Sequence, residues 1–306
     1  MIDIPGELAA AQEKFNGEAG RAFAAGLPHL AQEFLDRWEL RLDGRPMHGV
    51  TALVLPVLRS DGTPAALKLQ LLDEESEGEP VALRLWDGDG AVRLLAHDET
   101  THTMLLERLD HTRMLSRLPD TREAVLVIAR LLAHLTATPA PEGMRRLGDI
   151  ARAMLDRTPW ALKRITDPET RSLIADCAAA VREVVDEPGD RLLHWDLHDE
   201  NVLHTLPGQR PRWVAIDALP AAGYPEWEVA PVIRNRWDDA AATGDPERAL
   251  RRRFDIVCER AALDRHLAQA VLQAVAVDNV LWLSRATDVG PLVRSFLHPY
   301  SIVVRW

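Results

Sequence analysis

The chain has 306 residues, 47% of them hydrophobic, which is long enough for two lobes with real cores and too apolar for an intrinsically disordered protein. A formal net charge of −11 argues against nucleic acid or an anionic membrane surface as the main partner, and no apolar run is long enough to span a bilayer. The two cysteines, Cys177 and Cys258, fall in helical patterns and are expected to be reduced core residues, and the first residues lack the basic-then-apolar order of a secretion signal, so a cytoplasmic setting is expected.

Residues 17–37 predict two short helices divided at Gly26, Leu27 and Pro28, the second with Phe34, Leu35 and Trp38 on one stripe. Strand patterns follow at 38–42, 50–58 and 64–70, the last two joined into a hairpin at Asp61 and Gly62. Lys68 lies inside the third strand, between Leu67 and Leu69. A strand lysine ordinarily faces solvent, but this one follows a hairpin in the order of a kinase nucleotide lobe. An acidic run, Asp73, Glu74, Glu75, Glu77 and Glu79, leads into a helix expected over 80–86 and closed by Gly88. Two more strands, 91–96 and 103–106, bring the set to about five. Residues 107–110 then leave the last strand for a helical region and form a natural hinge. The expected lobes are 1–108 and 109–306.

Beyond the hinge the periodicity becomes helical. Val125, Ile128, Leu131, Leu132 and Leu135 share one face, and Leu173, Ile174, Cys177, Val181 and Val184 share another. Helices are also expected over 225–237, 246–262 and 267–285. Arg251, Arg252 and Arg253 read as a solvated basic face, and the tail from 291 carries no assignable pattern.

The stretch 190–217 interrupts these helices. His194, Asp196 and Asn201 follow H-x-D-x-x-x-x-N, the spacing of a kinase catalytic loop, and an apolar run at 213–216 ends at Asp217. Phosphoryl transfer needs positioning and charge neutralisation more than covalent help from the protein. Asp196 is suited to receive the acceptor's proton. Asn201 and Asp217 offer the hard oxygen donors that Mg2+ prefers, and Lys68 suits the α- and β-phosphates of ATP. Glu75 and Glu79 are both candidates to hold that lysine. Adenine is expected against the hinge, bonded to the backbone of Glu107 and Leu109 and packed by Met104 and Leu106. Singly, each of these residues has an ordinary explanation, an Asp as a cap or an Asn as a turn former; their order and spacing together do not. A competing reading takes His194, Asp196 and His198 as zinc ligands of a metal-dependent hydrolase, but it leaves Asn201 and the lysine strand unexplained.

H-W-D-L-H-D-E-N-V-L followed by W-V-A-I-D resembles the aminoglycoside phosphotransferases, and within them the streptomycin 6-kinase and hydroxyurea-phosphotransferase branch. Other pieces resemble the same branch: D-R-W-E-L at 36–40, D-G-T-P-A-A-L-K-L-Q at 61–70, G-D-G-A-V-R-L-L at 88–95, M-L-L-E-R-L-D at 104–110 and P-G-D-R-L-L-H-W-D-L-H at 188–198. The resemblance covers about residues 17 to 285. It implies an α+β, two-lobed protein-kinase-like fold, with a small N-terminal antiparallel-sheet lobe and a larger, mostly helical C-terminal lobe. It also implies ATP and Mg2+ as cofactors and O-phosphorylation of a small antibiotic, streptomycin at its 6-position above all, with hydroxyurea or another small hydroxylated compound as the alternative. Matched by motif, Asp196 becomes the catalytic base, Asn201 and Asp217 the metal ligands and Lys68 the phosphate-binding lysine. Because streptomycin carries guanidinium groups, an acidic pocket is expected, with Trp237, Asp238, Asp239 and Asp278 as candidates. Three departures stand out. The loop at 45–51 lacks a glycine cluster, Ala218 replaces the proline that often follows the metal-strand aspartate, and Gly223, Tyr224, Pro225 and Glu228 stand where the family often has G-D-P-x-x-D.

Overall fold

Pro5 precedes a long first helix, α1 (Gly6–Arg37), in a computed structural model that describes residues 2–49, 51–165, 168–185, 189–209 and 212–283. The helix breaks at Gly17 (φ 57°, ψ −129°), a conformation open to glycine, and not at 26–28 as the sequence pattern suggested. Pro28 is carried inside the helix, where buried Leu27, Ala31 and Phe34 pack with Leu53, Leu55 and Leu67 in one core. That packing outweighs the backbone bond a proline cannot make.

The strands β1 (Arg41–Leu42), β2 (Met47–His48), β3 (Ala52–Leu58) and β4 (Pro64–Gln70) are followed by α2 (Glu79–Trp86), β5 (Leu94–His97) and β6 (Met104–Glu107). They form an antiparallel sheet of order β1-β3-β4-β6-β5, with β2 pairing β3. Gly62 turns the β3–β4 hairpin at φ 81°, and the register places Lys68 opposite Val54 on one side and Met104 on the other. Asp87 caps α2 in the left-handed region before Gly88.

A strand, β7 (Leu109–Met114), runs where entry into a helix was expected. Its partner is not local: β9 (Val202–Thr205) lies beside it, so the pairing could not be read from this segment alone. The helices α3 (Thr121–Leu135), α4 (Leu147–Arg164) and α5 (Pro168–Val184) lead to β8 (Arg191–Leu193) and β9, then to β10 (Trp213–Ala215) and β11 (Ala221–Gly223). Val125, Ile128, Leu131, Leu132 and Leu135 are all buried on α3, and Asp120 caps it by accepting from the backbone of Arg122 and Glu123. On α5, Ile174, Cys177 and Val181 are buried, whereas the side chains of Leu173 and Val184 lie outside the described residues. Cys177 and Cys258 are buried free thiols, and burial pushes both up to about 12.

The single helix expected over 225–237 is broken. A 3-10 turn (Pro225–Glu228) passes into α6 (Val229–Arg234), Arg236 takes a left-handed conformation (φ 54°), and α7 (Trp237–Ala242) begins. Then come α8 (Pro246–Arg260), capped by Asp245, and α9 (Arg265–Leu283). On α8, Arg253 corrects the solvated reading of the arginine run. It is 5% exposed and donates to the carbonyls of Asn235 and Arg236 at 2.7 and 2.8 Å. The tail from 291 lies outside the described residues.

Among the described residues two compact units result: one within 1–111 with 204–214, the other within 112–203 with 215–283. The single cut expected at 108/109 thus becomes a boundary crossed again within β9 and β10. The second core gathers Leu147, Val181, Leu193, Ala221, Trp227 and Val271. Among the described residues, no helix is long and apolar enough to cross a membrane.

Candidate active site

In the first unit, strand alternation puts Lys68 and Gln70 on the same face of β4. Lys68 Nζ donates to both carboxylate oxygens of Glu79, each at 2.8 Å, and Gln70 Nε2 donates to Glu79 Oε2 at 3.2 Å. Lys68 and Glu79 are both nearly sealed from solvent, at 3% and 1% exposure of their side chains. A buried pair of this kind is tolerable only when the charges meet with good geometry, as here. This decides between the two glutamates considered: Glu79 holds the lysine and Glu75 is exposed, its backbone N–H donating to Asp73 Oδ1 at 3.0 Å. Glu79 opens α2, so its carboxylate also sits at the favourable end of the helix dipole.

The expected adenine contacts at 104–109 fare unevenly. Met104 and Leu109 are buried. The Glu107 N–H, however, donates to Arg93 O at 2.9 Å, and its carboxylate accepts from Arg93 N at 2.9 Å and meets Arg212 at 3.3 Å. That backbone donor is therefore committed to Arg93, the residue just before β5.

In the second unit the stretch after β8 is organised by His194. Its backbone N–H donates to Glu228 Oε1 at 2.5 Å, and the same oxygen accepts the Trp195 N–H at 2.8 Å. Its carbonyl accepts from Leu219 N at 2.9 Å. Its ring Nε2 lies 3.0 Å from Ile216 O, and Nδ1 faces Asp196 N at 3.4 Å. Burial, working against the pull of Asp196, lowers the His194 pKa to about 4. The ring is then neutral, with the proton on Nε2 given to Ile216 O and Nδ1 accepting. Both ring nitrogens are thus turned to the backbone, which removes His194 from the zinc-ligand reading. Among the described residues, no group of three His, Cys, Asp or Glu side chains is set to hold a metal in that manner.

These bonds hold two residues in uncommon conformations. Trp195 and Asp217, neither of them glycine, both have φ 57°. Each costs about 1–3 kcal/mol and persists only where the surroundings over-determine it. Here the clamps are Glu228 on one side and the ties of His194 to Ile216 and Leu219 on the other. Nearby, Gly223 lets β11 pack closely on α4, since a Cβ there would lie 2.5 Å from Leu147 Cδ1.

Asp196 is half-buried. Asn201 Nδ2 donates to its backbone oxygen and to its Oδ2, both at 3.0 Å. With its amide nitrogen so engaged, Asn201 has Oδ1 as its donor atom for a cation. Ile216 N donates to Asn201 O at 2.9 Å, which sets Asp217 immediately after the residue tied to Asn201. An amide oxygen and a carboxylate are hard donors, the chemistry magnesium takes. His198 Nε2 lies 3.5 Å from Asp196 Oδ2, and Arg234 Nη2 3.9 Å from Oδ1.

The residues considered for a cationic ligand separate. Asp239 Oδ2 accepts from Thr121 Oγ1 at 3.0 Å and from Arg236 Nε at 2.5 Å, so its charge is used internally. Asp238 is exposed and Trp237 half-buried, while the side chain of Asp278 lies outside the described residues. Several working residues escaped the sequence reading: Gln70, Glu228 as a loop clamp, Arg234, and Arg236 with Arg253. Arg253 did carry a signal. Leu250, Arg253, Phe254 and Val257 have the i, i+3, i+4, i+7 spacing of a buried face, and all four are buried.

A family model described as aminoglycoside/hydroxyurea antibiotic resistance kinase matches residues 37–287. Streptomycin 6-kinase of Streptomyces glaucescens is 49% identical over 282 residues, spanning 92% of this chain and 91% of that protein. Hydroxyurea phosphotransferase of Kitasatospora aureofaciens is 51% identical over 284 residues, spanning 92% of this chain and 80% of that protein. The crystal structure of a thermostable mutant of aminoglycoside phosphotransferase APH(4)-Ia, in ternary complex with ADP and hygromycin B, shares the fold. Its TM-score is 0.57 at 17% identity, covering 90% of this chain and 97% of that one.

Proposed function

The chain belongs to the aminoglycoside/hydroxyurea antibiotic resistance kinase family, and we propose that it transfers the γ-phosphoryl group of ATP to a hydroxyl of a small antibiotic, streptomycin at its 6-position. The observation that carries this reading is the Asp196–Asn201 pair, joined by two 3.0 Å bonds on a loop whose backbone N–H groups at His194 and Trp195 are held by Glu228. The ADP held by the aminoglycoside phosphotransferase of like fold supports ATP as the donor. The proposed use of ATP goes with a cytoplasmic setting, which is proposed with it.

In this reading Asp196 receives a hydrogen bond from the acceptor hydroxyl, orients it in line, and takes its proton as the new P–O bond forms. Asn201 restrains the Asp196 carboxylate, and His198 and Arg234 lie against its two oxygens. Lys68, fixed by Glu79 and Gln70, engages the nucleotide phosphates. Asn201 Oδ1 and the Asp217 carboxylate would hold magnesium, which when bound neutralises charge on the phosphoryl oxygens. Met104, Glu107 and Leu109 are left as candidates for the adenine edge, the Glu107 contribution falling to its carbonyl. Asp238, exposed beside Trp237, remains the candidate for a guanidinium of the drug.

Hydroxyurea is the second reading, favoured by the 51% identity to the Kitasatospora enzyme. ADP release in the presence of magnesium, measured with streptomycin and with hydroxyurea, tests both. Turnover with streptomycin supports the first, turnover with hydroxyurea alone moves the assignment to the second, and nucleotide-independent hydrolysis of either compound defeats both.

A further inference from the structure

The helical unit holds a cavity of about 360 Å³ to which the proposed transfer assigns no role, walled by the start of α3, by α7 and by α8. That volume is of the size that takes a small molecule, at the lower end of a range of roughly 300–1,000 Å³. Its charge is unusual for a chain with a net charge of −11. Four arginines, Arg122, Arg248, Arg252 and Arg253, line it against two carboxylates, Asp239 and Asp245.

Both carboxylates already have work. Asp239 accepts from Thr121 and Arg236, and Asp245 caps α8 by accepting from Arg248 N at 3.0 Å. Arg253 is 5% exposed and its guanidinium is fixed by two carbonyls, while Asp239 and Asp199 offset part of its charge, so the exposed arginines carry most of the positive wall. Arg122, Arg248 and Arg252 are exposed, with guanidinium groups able to fold over an occupant. Val125 and Ile256 add apolar wall between the charged groups.

We propose that this cavity binds a small organic anion: a carboxylate or phosphate monoester carried on a compact apolar body. The planar N–H forks of arginine match both anions, and a partly buried guanidinium gains most from an anionic partner. The sign of the wall is opposite to the one a guanidinium-bearing drug needs, so this is a site of different specificity from the acceptor's. The wall also continues toward the catalytic loop, because Arg236, which bonds Asp239, lies 3.6 Å from Asp199 Oδ2.

The test is calorimetric titration of the full-length protein with phenyl phosphate, carried out with ADP and magnesium at saturation so that the nucleotide site is filled. Binding is the readout, so the result stands apart from whether the protein is a kinase. Saturable binding is expected, weakened at least about tenfold in an R248Q/R252Q double variant, with ADP affinity and melting temperature unchanged. An R122Q variant, altered on α3 instead of α8, is expected to weaken phenyl phosphate in the same direction and guards against a misfolded double variant. No saturable binding to the wild type, or equal binding by wild type and both variants, overturns the proposal.

Discussion

Glu228 and Trp195 are joined by a 2.8 Å hydrogen bond, from the tryptophan backbone N–H to a carboxylate that is completely buried. The same oxygen takes the His194 N–H, so one side chain fixes the loop on the N-terminal side of Asp196. Glu228→Ala strands two buried donors at a cost of about 1–3 kcal/mol each and frees the Asp196 loop. Its kcat is expected to fall much further than its nucleotide affinity. Glu228→Gln keeps an acceptor oxygen in place and should retain most of both. Urea unfolding with steady-state kinetics measures the two effects, and an alanine variant with wild-type kcat would show that the clamp is dispensable.

The pH dependence of stability has two opposed sources here. Burial, outweighing the backbone hydrogen bonds, raises Glu228 from 4.5 to about 7, so its contribution is full below 4.5 and is lost as pH rises through 7. Burial lowers His194 from 6.5 to about 4, so its contribution is full above 6.5 and is lost as pH falls through 4. Between these limits the two slopes oppose each other in the wild type. Glu228→Gln removes the first, leaving stability that climbs with pH up to about 6.5 and then levels. Denaturant titrations across this window check it; a variant with the wild-type slope contradicts the assignment.

Lys68 and Glu79 are expected to be worth more to function than to folding. Removing one member leaves the other's buried charge without its principal partner, so Lys68→Met should cost about 3–5 kcal/mol and most nucleotide affinity. The double variant with Glu79→Met should regain much of the stability and none of the activity. Thermal melts, ATP binding and turnover of the two variants decide it; recovery of activity in the double variant would remove Lys68 from the phosphate site.

Two neighbouring arginines of α8, Arg252 and Arg253, should behave differently. Arg253→Ala leaves the carbonyls of Asn235 and Arg236 without their donors and loosens the left-handed turn at Arg236. A loss of about 2–3 kcal/mol is expected, whereas Arg252→Ala at an exposed position should stay within about 0.5 kcal/mol. Chemical denaturation of both variants measures the contrast.

These positions show what the sequence made legible. The hairpin, the lysine on β4, the α3 face and the spacing of His194, Asp196 and Asn201 are local patterns, and each follows from chain period or motif distance. What was not legible depends on distant partners. β7 pairs with a strand from the far side of the sequence, and the break of α1 moved from Pro28 to Gly17 because core packing tolerated the proline. The choice of Glu79 over Glu75 required knowing which carboxylate turns inward. Glu228 was visible only as a departure from a family pattern, and its two backbone donors lie 33 and 34 residues away in sequence.

Asp196 is expected to direct a phosphoryl group to a drug hydroxyl, and the most direct measurement follows that group. Wild type and Asp196→Asn are incubated with γ-radiolabelled ATP, magnesium and streptomycin, and the label in the drug is counted. The wild type should label streptomycin, and the variant should bind ATP normally yet transfer on the order of a thousandfold more slowly. Label released only to water, or undiminished labelling by the variant, would contradict it.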